Sequence, residues 1–192
     1  MYDKYSLENE EKRRIFNIAV EMLKKKGYEK LSIRAICSEA GISIGSFYHY
    51  FSSKQELLSF YYDEAVETFR AQTEKKLEGL DIKEQLVQFY TWYAEYTSGF
   101  GLEFVTYYFN NQNQALNCTT YNNVLINVTD GLLQRAVQNG YVIPDNKTIH
   151  DISVDVCVIV KGAIFDWCVR HGNFDLADYI HDLLTRVMRG LL

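Results

Sequence analysis

The chain has 192 residues, 47% apolar and 23% charged, which is enough for a real core and excludes a disordered chain. One proline, Pro144, and 11 glycines are too few for the turns of a sandwich or barrel, so the composition predicts an all-α protein. A net charge of −5, taken alone, argues against a nucleic-acid partner. The first predicted helix carries Ile15, Ile18, Ala19, Met22 and Leu23 at helical spacing. Lys24 to Lys26 suit its C-terminal dipole, and Gly27 stops it. A second short helix opens at Ser32 and turns Ile33, Ile36, Cys37 and Ala40 inward. Gly41 interrupts it, and Ser43 caps a third helix that runs to about Tyr50. The run Ser53-Lys54-Gln55-Glu56 reads as a capping box opening a fourth helix, expected to reach Leu77 before Gly79. Five more helices are predicted, over about 82–97, 102–114, 120–139, 147–170 and 174–189.

Several function classes find no support. Cys37, Cys118, Cys157 and Cys168 form no C-x-x-C pair and lack zinc spacing with histidine, so they read as buried thiols and no metal is expected. The four histidines form no i, i+4 ligand pair. No P-loop, dinucleotide or Gly-x-Ser-x-Gly motif appears, so neither a cofactor nor a catalytic residue is expected. The start is polar rather than a leader. The apolar stretch Val154 to Val169 holds Asp155, Lys161 and Asp166, which excludes a span. A cytoplasmic protein without a membrane partner is expected. The sequons at Asn117, Asn127 and Asn146 then carry no meaning.

Ser32 to Tyr50 has the spacing of a helix-turn-helix. Gly41 supplies the left-handed turn, Ile42 the apolar turn residue, and Ile36, Phe47 and Phe51 pack inward with Ile18 and Leu23. The other face of the third helix carries Ser46, Tyr48, His49 and Tyr50, where a merely solvated face would carry Glu and Lys. DNA binding is the sharper interpretation, and a plain helical hairpin in a bundle the blander one.

Ala40 to Leu58, AGISIGSFYHYFSSKQELL, resembles the DNA-binding signature of TetR-family transcriptional regulators. Ile15, Ala19, Leu23, Gly27-Tyr28, Leu31-Ser32-Ile33 and Ile36 match that family's first two helices. Gly162, Trp167 and Gly172 to Leu176 match its last two more loosely. The resemblance implies a three-helix DNA-binding domain over 1–54, and a helical ligand-binding and dimerisation domain over 55–192. It implies that Ser43, Ile44, Gly45 and Ser46 open the recognition helix toward base edges, Ile44 suiting a thymine methyl. Tyr48, Tyr50 and Lys54 are then expected at phosphates, His49 at the backbone or a base, Ser32 at a phosphate and Arg34 at a guanine. The first turn of the recognition helix has no Arg, Lys, Asn or Gln, so DNA shape must contribute to specificity.

Ten aromatics fall between Phe89 and Phe109. Tyrosines in that number suggest a cavity lined by rings with polar tips, although an aromatic core without ligand fits as well. The expected lining is Trp92, Tyr93, Tyr96, Phe104, Tyr107, Tyr108, Tyr121 and Phe165, around a small apolar or aromatic effector. Glu95 and Glu103 are candidates for a cationic one. The helix from about Lys147 is apolar on more than one side, which predicts a homodimer. Its recognition helices would lie about 35 Å apart on a palindromic double-stranded operator. An enzyme using the aromatic pocket and a helical interaction module are the rival readings. The charge resolves on splitting the chain: residues 1–60 hold ten Lys/Arg against eight Asp/Glu, net +2, and residues 61–192 hold ten against seventeen, net −7.

Overall fold

The first helix forms because one stripe of its residues has a core to enter. The computed structural model describes residues 4–109, 124–143 and 147–191. In it α1 (Lys4–Lys26) buries Ile15, Phe16, Ala19, Val20 and Leu23. Ile18, expected inside, is only half-buried, because the buried stripe is centred on Ile15, Ala19 and Leu23 and extends to Phe16 and Val20 on the other side, leaving Ile18 at its edge. Gly27 follows at φ 73°, and a 3-10 turn (Tyr28–Lys30) leads to α2 (Ile33–Ala40). Ser32 caps α2 by accepting from the Ala35 N–H at 3.2 Å, and Gly41 ends it in the left-handed region, φ 67° and ψ 30°. Ser43 caps α3 (Ile44–Tyr50) by accepting from the Ser46 N–H at 2.9 Å. α4 (Lys54–Gln72) closes this core with Leu57, Leu58 and Tyr61. Phe60 meets Phe16 and Phe51 edge-on at 5.8 and 5.9 Å. Arg13 Nε donates to the buried carboxylate of Glu64 at 2.5 Å and ties α1 to α4.

Two local features differ from expectation. Ser53 does accept from the Glu56 N–H at 3.0 Å, but the Glu56 carboxylate returns to the N–H and hydroxyl of Ser52, one residue further back. The box is therefore split between two serines. α4 also ends at Gln72 rather than near Leu77. A 3-10 segment (Glu74–Leu77) follows because Leu77 turns into the core, and Gly79 at φ 85° completes the reversal.

The residues group into two compact units, Met1–Glu64 and Ala65–Leu192. The second is built on α5 (Ile82–Gly99), α6 (Leu102–Tyr108), α7 (Val124–Gln138), α8 (Ile149–Val169) and α9 (Leu176–Leu191). α5 packs chiefly on α9 and also on α7, while α8 packs on α7, α9 and α6. Inside, Thr129 donates to the Leu125 carbonyl at 3.0 Å, so the Tyr90 hydroxyl donates to Thr129 at 2.8 Å and pins α5 to α7. Thr148 and Asp151 make a complete capping box at the start of α8. Among the described residues every regular element is helical, and no helix is long and apolar enough to cross a membrane. The predicted helix from Leu102 is described only to Tyr108. Residues 110–123, with Cys118 and Tyr121, and the turn residue Pro144 lie outside the described residues.

Candidate nucleic-acid interface and ligand-binding unit

On α3 the split between the two faces is sharp. Phe47 is fully buried, whereas Ile44 is 43% and Tyr48 54% exposed, both unusual for large apolar side chains. Gly45 lies exposed beside them. A Cβ there would meet only Ser43 Oγ, at an ordinary 3.6 Å, so nothing within the chain requires glycine. Its absent side chain leaves the backbone open to a partner. The hydroxyls of Ser43 and Ser46 lie 2.8 Å apart, which fixes Ser46 against the cap. His49 is exposed, Tyr50 is half-buried, and their rings meet at 5.1 Å.

The neighbouring candidates group around this face in different ways. Ser32 is exposed and spends one lone pair on its cap. Arg34 is exposed and makes no ion pair among the described residues. Lys54 is half-buried. Its ammonium donates to the Leu31 carbonyl at 3.0 Å and sits 3.7 Å from the centre of the Tyr28 ring. One donor of three is thus committed, and the cation is held in place rather than swinging freely.

Sequence reasoning missed Arg14. Its guanidinium donates twice to Glu11, at 2.9 and 2.6 Å, and once to the carbonyl of Ala40, at 3.0 Å. Ala40 is the last residue of α2, so Arg14 holds the elbow of the helix-turn-helix against α1. The hydrogen bond to Glu11 raises the Arg14 pKa and lowers that of Glu11. Hydrogen bonds from Ser52 lower the Glu56 carboxyl in the same way. The only sequence signal was an i, i+3 acid–base pair, which is common on solvated helices.

In the second unit the aromatics form a continuous row. Phe69 meets Phe89 at 4.7 Å and Trp92 at 5.3 Å. The row continues through Trp92–Tyr96, Tyr96–Phe100, Phe100–Phe104 and Phe104–Tyr108, at 5.3, 5.0, 5.1 and 5.6 Å. Within α5 the spacing of four places Trp92 and Tyr96 on one face, and within α6 it does the same for Phe104 and Tyr108. Of the expected lining, Trp92, Tyr96, Phe104 and Tyr108 belong to this row. Tyr93 is buried in the helical core, and Tyr107 is half-buried on α6. Phe165 stands apart from this row. It is 48% exposed on α8, in line with Val158 and Val169, because it faces outward from the core. Glu95 and Glu103 are exposed. Lys161 is a further residue that sequence reasoning passed over. It is 3% exposed, and a buried cation is rare. Among the described residues no group of acidic, histidine or cysteine side chains could hold a metal.

Comparison with known proteins points the same way. The family described as bacterial regulatory proteins, tetR family, matches residues 15–59. The helix-turn-helix regulator YerO of Bacillus subtilis is 46% identical over 50 residues, which are 26% of this chain but only 17% of YerO. The fatty acid metabolism regulator protein of Bacillus subtilis is 22% identical over 182 residues, covering 92% of this chain and 93% of that protein. The crystal structure of Thermus thermophilus FadR, a TetR-family repressor in complex with lauroyl-CoA, superposes with a TM-score of 0.74. It is 19% identical and covers 94% of this chain and 95% of that one, so it is similar in fold.

Proposed function

Because this chain belongs to the TetR family of bacterial transcriptional regulators, we propose that it is a dimeric repressor released from its operator by a small molecule with an acyl chain. The observation that carries the DNA half of this reading is the outward face of α3, where Ile44, Gly45 and Tyr48 stand open while Phe47 anchors the helix from behind. Residues 1–54 read DNA. Ile44 and Ser46 meet base edges, and Tyr48, Tyr50, Lys54 and Ser32 meet phosphates, with His49 beside them. Arg34, which makes no ion pair among the described residues, is a long cation available to a guanine.

Residues 55–192 hold the effector and the partner subunit. The acyl chain lies along the ring row from Trp92 to Tyr108, in keeping with the lauroyl-CoA bound by the Thermus relative. The partner covers the outward apolar stripe of α8. Effector binds the DNA-incompetent state of the dimer more tightly and lowers operator affinity by that difference, typically about 1–3 kcal/mol. The protein acts as a regulator of intracellular DNA and not as an enzyme. Its relatives are regulators, and no catalytic group is needed for a shift in binding.

The test is fluorescence anisotropy with DNA from the protein's own upstream region. Specific, salt-sensitive binding that lauroyl-CoA or laurate reverses is expected. Equal affinity for every duplex, or no response to either compound, overturns the reading.

A further inference from the structure

The 3-10 turn Tyr28–Lys30 holds a cation that the chain's own carboxylates leave alone. Gly27 enters the turn at φ 73°, and the Leu31 N–H closes it by donating to the Tyr28 carbonyl at 3.0 Å. The Leu31 side chain is buried, so that leucine and the closing hydrogen bond together fix the direction of the Leu31 carbonyl. The Lys54 ammonium, on the first residue of α4, donates to this carbonyl at 3.0 Å, with the centre of the Tyr28 ring 3.7 Å away. A ring face within about 6 Å attracts a cation through its quadrupole. Ring and carbonyl thus hold the same ammonium.

The charge remains available to a partner. Lys54 makes no ion pair among the described residues. Glu56, the acid nearest to it in sequence, is turned back to the N–H and hydroxyl of Ser52. An ammonium has three donors and one is committed to Leu31, so two are left for an anion. The acceptor also matters. The Leu31 carbonyl belongs to the peptide bond that leads into Ser32, the exposed N-cap of α2. Ser32 from α2 and Lys54 from α4 are therefore brought together at one peptide unit. A staple between the turn and α4 could use any neutral donor. A ring face beside that donor favours a charged one.

We propose that Tyr28 is a positioning residue for DNA binding, its ring face holding the Lys54 ammonium in place for an operator phosphate. This rests on the placement of Lys54 at a phosphate in the reading above. A lysine head on its flexible four-carbon stem loses much rotamer freedom when a phosphate captures it. Beside Tyr28 that loss is taken on folding instead of on binding, and affinity rises without any new charge at the DNA. The ring carries this role and the Tyr28 hydroxyl does not.

The experiment is a double-mutant cycle on the full-length protein, read as affinity for DNA from its own upstream region by fluorescence anisotropy. Tyr28→Leu should weaken binding about fivefold, and Tyr28→Phe, which keeps the ring face, less than about twofold. In the Lys54→Ala background the same Tyr28→Leu change should matter less than about twofold. Should leucine unfold the chain, a fluorinated phenylalanine at this position keeps the size of the ring but weakens its face, and should bind severalfold more weakly than Tyr28→Phe. Equal losses from Tyr28→Leu in both backgrounds mean a structural role alone and overturn the proposal. So does full affinity in Tyr28→Leu or in the fluorinated variant, and in each case the DNA-binding reading stands. If Lys54→Ala leaves both affinity and its salt dependence unchanged, the phosphate contact of Lys54 falls and the role of Tyr28 with it.

Discussion

At the scale of single residues, Arg14 joins two tasks. Its pair of hydrogen bonds to Glu11 is half exposed and adds little by itself, since exposed ion pairs contribute about 0–1 kcal/mol. Its third bond, to the Ala40 carbonyl, satisfies a helix-end acceptor at the point where the chain turns toward α3. Replacing Arg14 by Ala should lower Tm by a few degrees and weaken operator affinity roughly five-fold, about 1 kcal/mol. Arg14→Lys, which keeps the charge but loses the fork, should recover only part of the affinity. Unchanged operator affinity in Arg14→Ala would remove the positioning role. The pH dependence follows from Glu11. Its carboxyl is held below the ordinary value of 4.5 in the folded chain, so its contribution is present above that pH and is lost as pH falls through the depressed value. Wild type should therefore exceed Glu11→Gln in stability at neutral pH, and the two melting curves should converge in acid, once the pH has fallen through the depressed carboxyl value.

At the scale of elements, helix starts were far more legible than helix ends. Ser32, Ser43 and Asp81 each accept from the backbone N–H three residues on, as a short polar side chain before an apolar run should. The end of α4 carries no such mark. Ala71 to Leu77 is made of helix-tolerant residues, yet the helix ends at Gln72 and the chain turns so that Leu77 is buried. The outward position of Phe165 was not legible for a related reason. Periodicity shows that α8 is apolar all round, but not which apolar side faces the subunit's own core. The contacts of Arg14 with Ala40 and of Lys54 with Tyr28 were not legible because these residues come together only through tertiary packing. The connection from α8 to α9 gives a sharp prediction. Gly172 has φ 67°, and a Cβ there would lie 3.2 Å from Cζ2 of Trp167. That indole is itself fixed, donating to the Phe174 carbonyl at 3.0 Å. Gly172→Ala therefore combines left-handed strain with a crowded ring and should destabilise by about 1–3 kcal/mol, measured by chemical denaturation. A change within ±0.3 kcal/mol would show that the turn relaxes freely.

At the scale of the whole molecule, subunit association and operator affinity are separable. Val158, Phe165 and Val169 stand 52%, 48% and 57% exposed at positions i, i+7 and i+11 of α8, a stripe too apolar for a face left in water. Phe165→Glu places a charge in that stripe and should shift the light-scattering mass from that of a dimer to the 22.4 kDa of one chain. The charge distribution sets the second outcome. Residues 1–60 carry only +2, and the residues proposed to face DNA are mostly hydroxyl-bearing, so they would bond phosphates without releasing counterions. Lys54, proposed at a phosphate, and Arg34, proposed at a guanine where its charge also displaces counterions, would be the two cations of each head, about four for a dimer. The slope of log affinity against log salt for an intact dimer should then be shallow, about −4. Lys54→Ala should flatten it by about 2, one charge in each head, and weaken binding to all sequences alike. Tyr48→Phe should weaken binding while leaving the slope unchanged, because a phenol hydroxyl contributes fit and no charge. A slope near −10 for the wild type would mean that cations outside this face meet the DNA, and the docking of α3 would have to be redrawn.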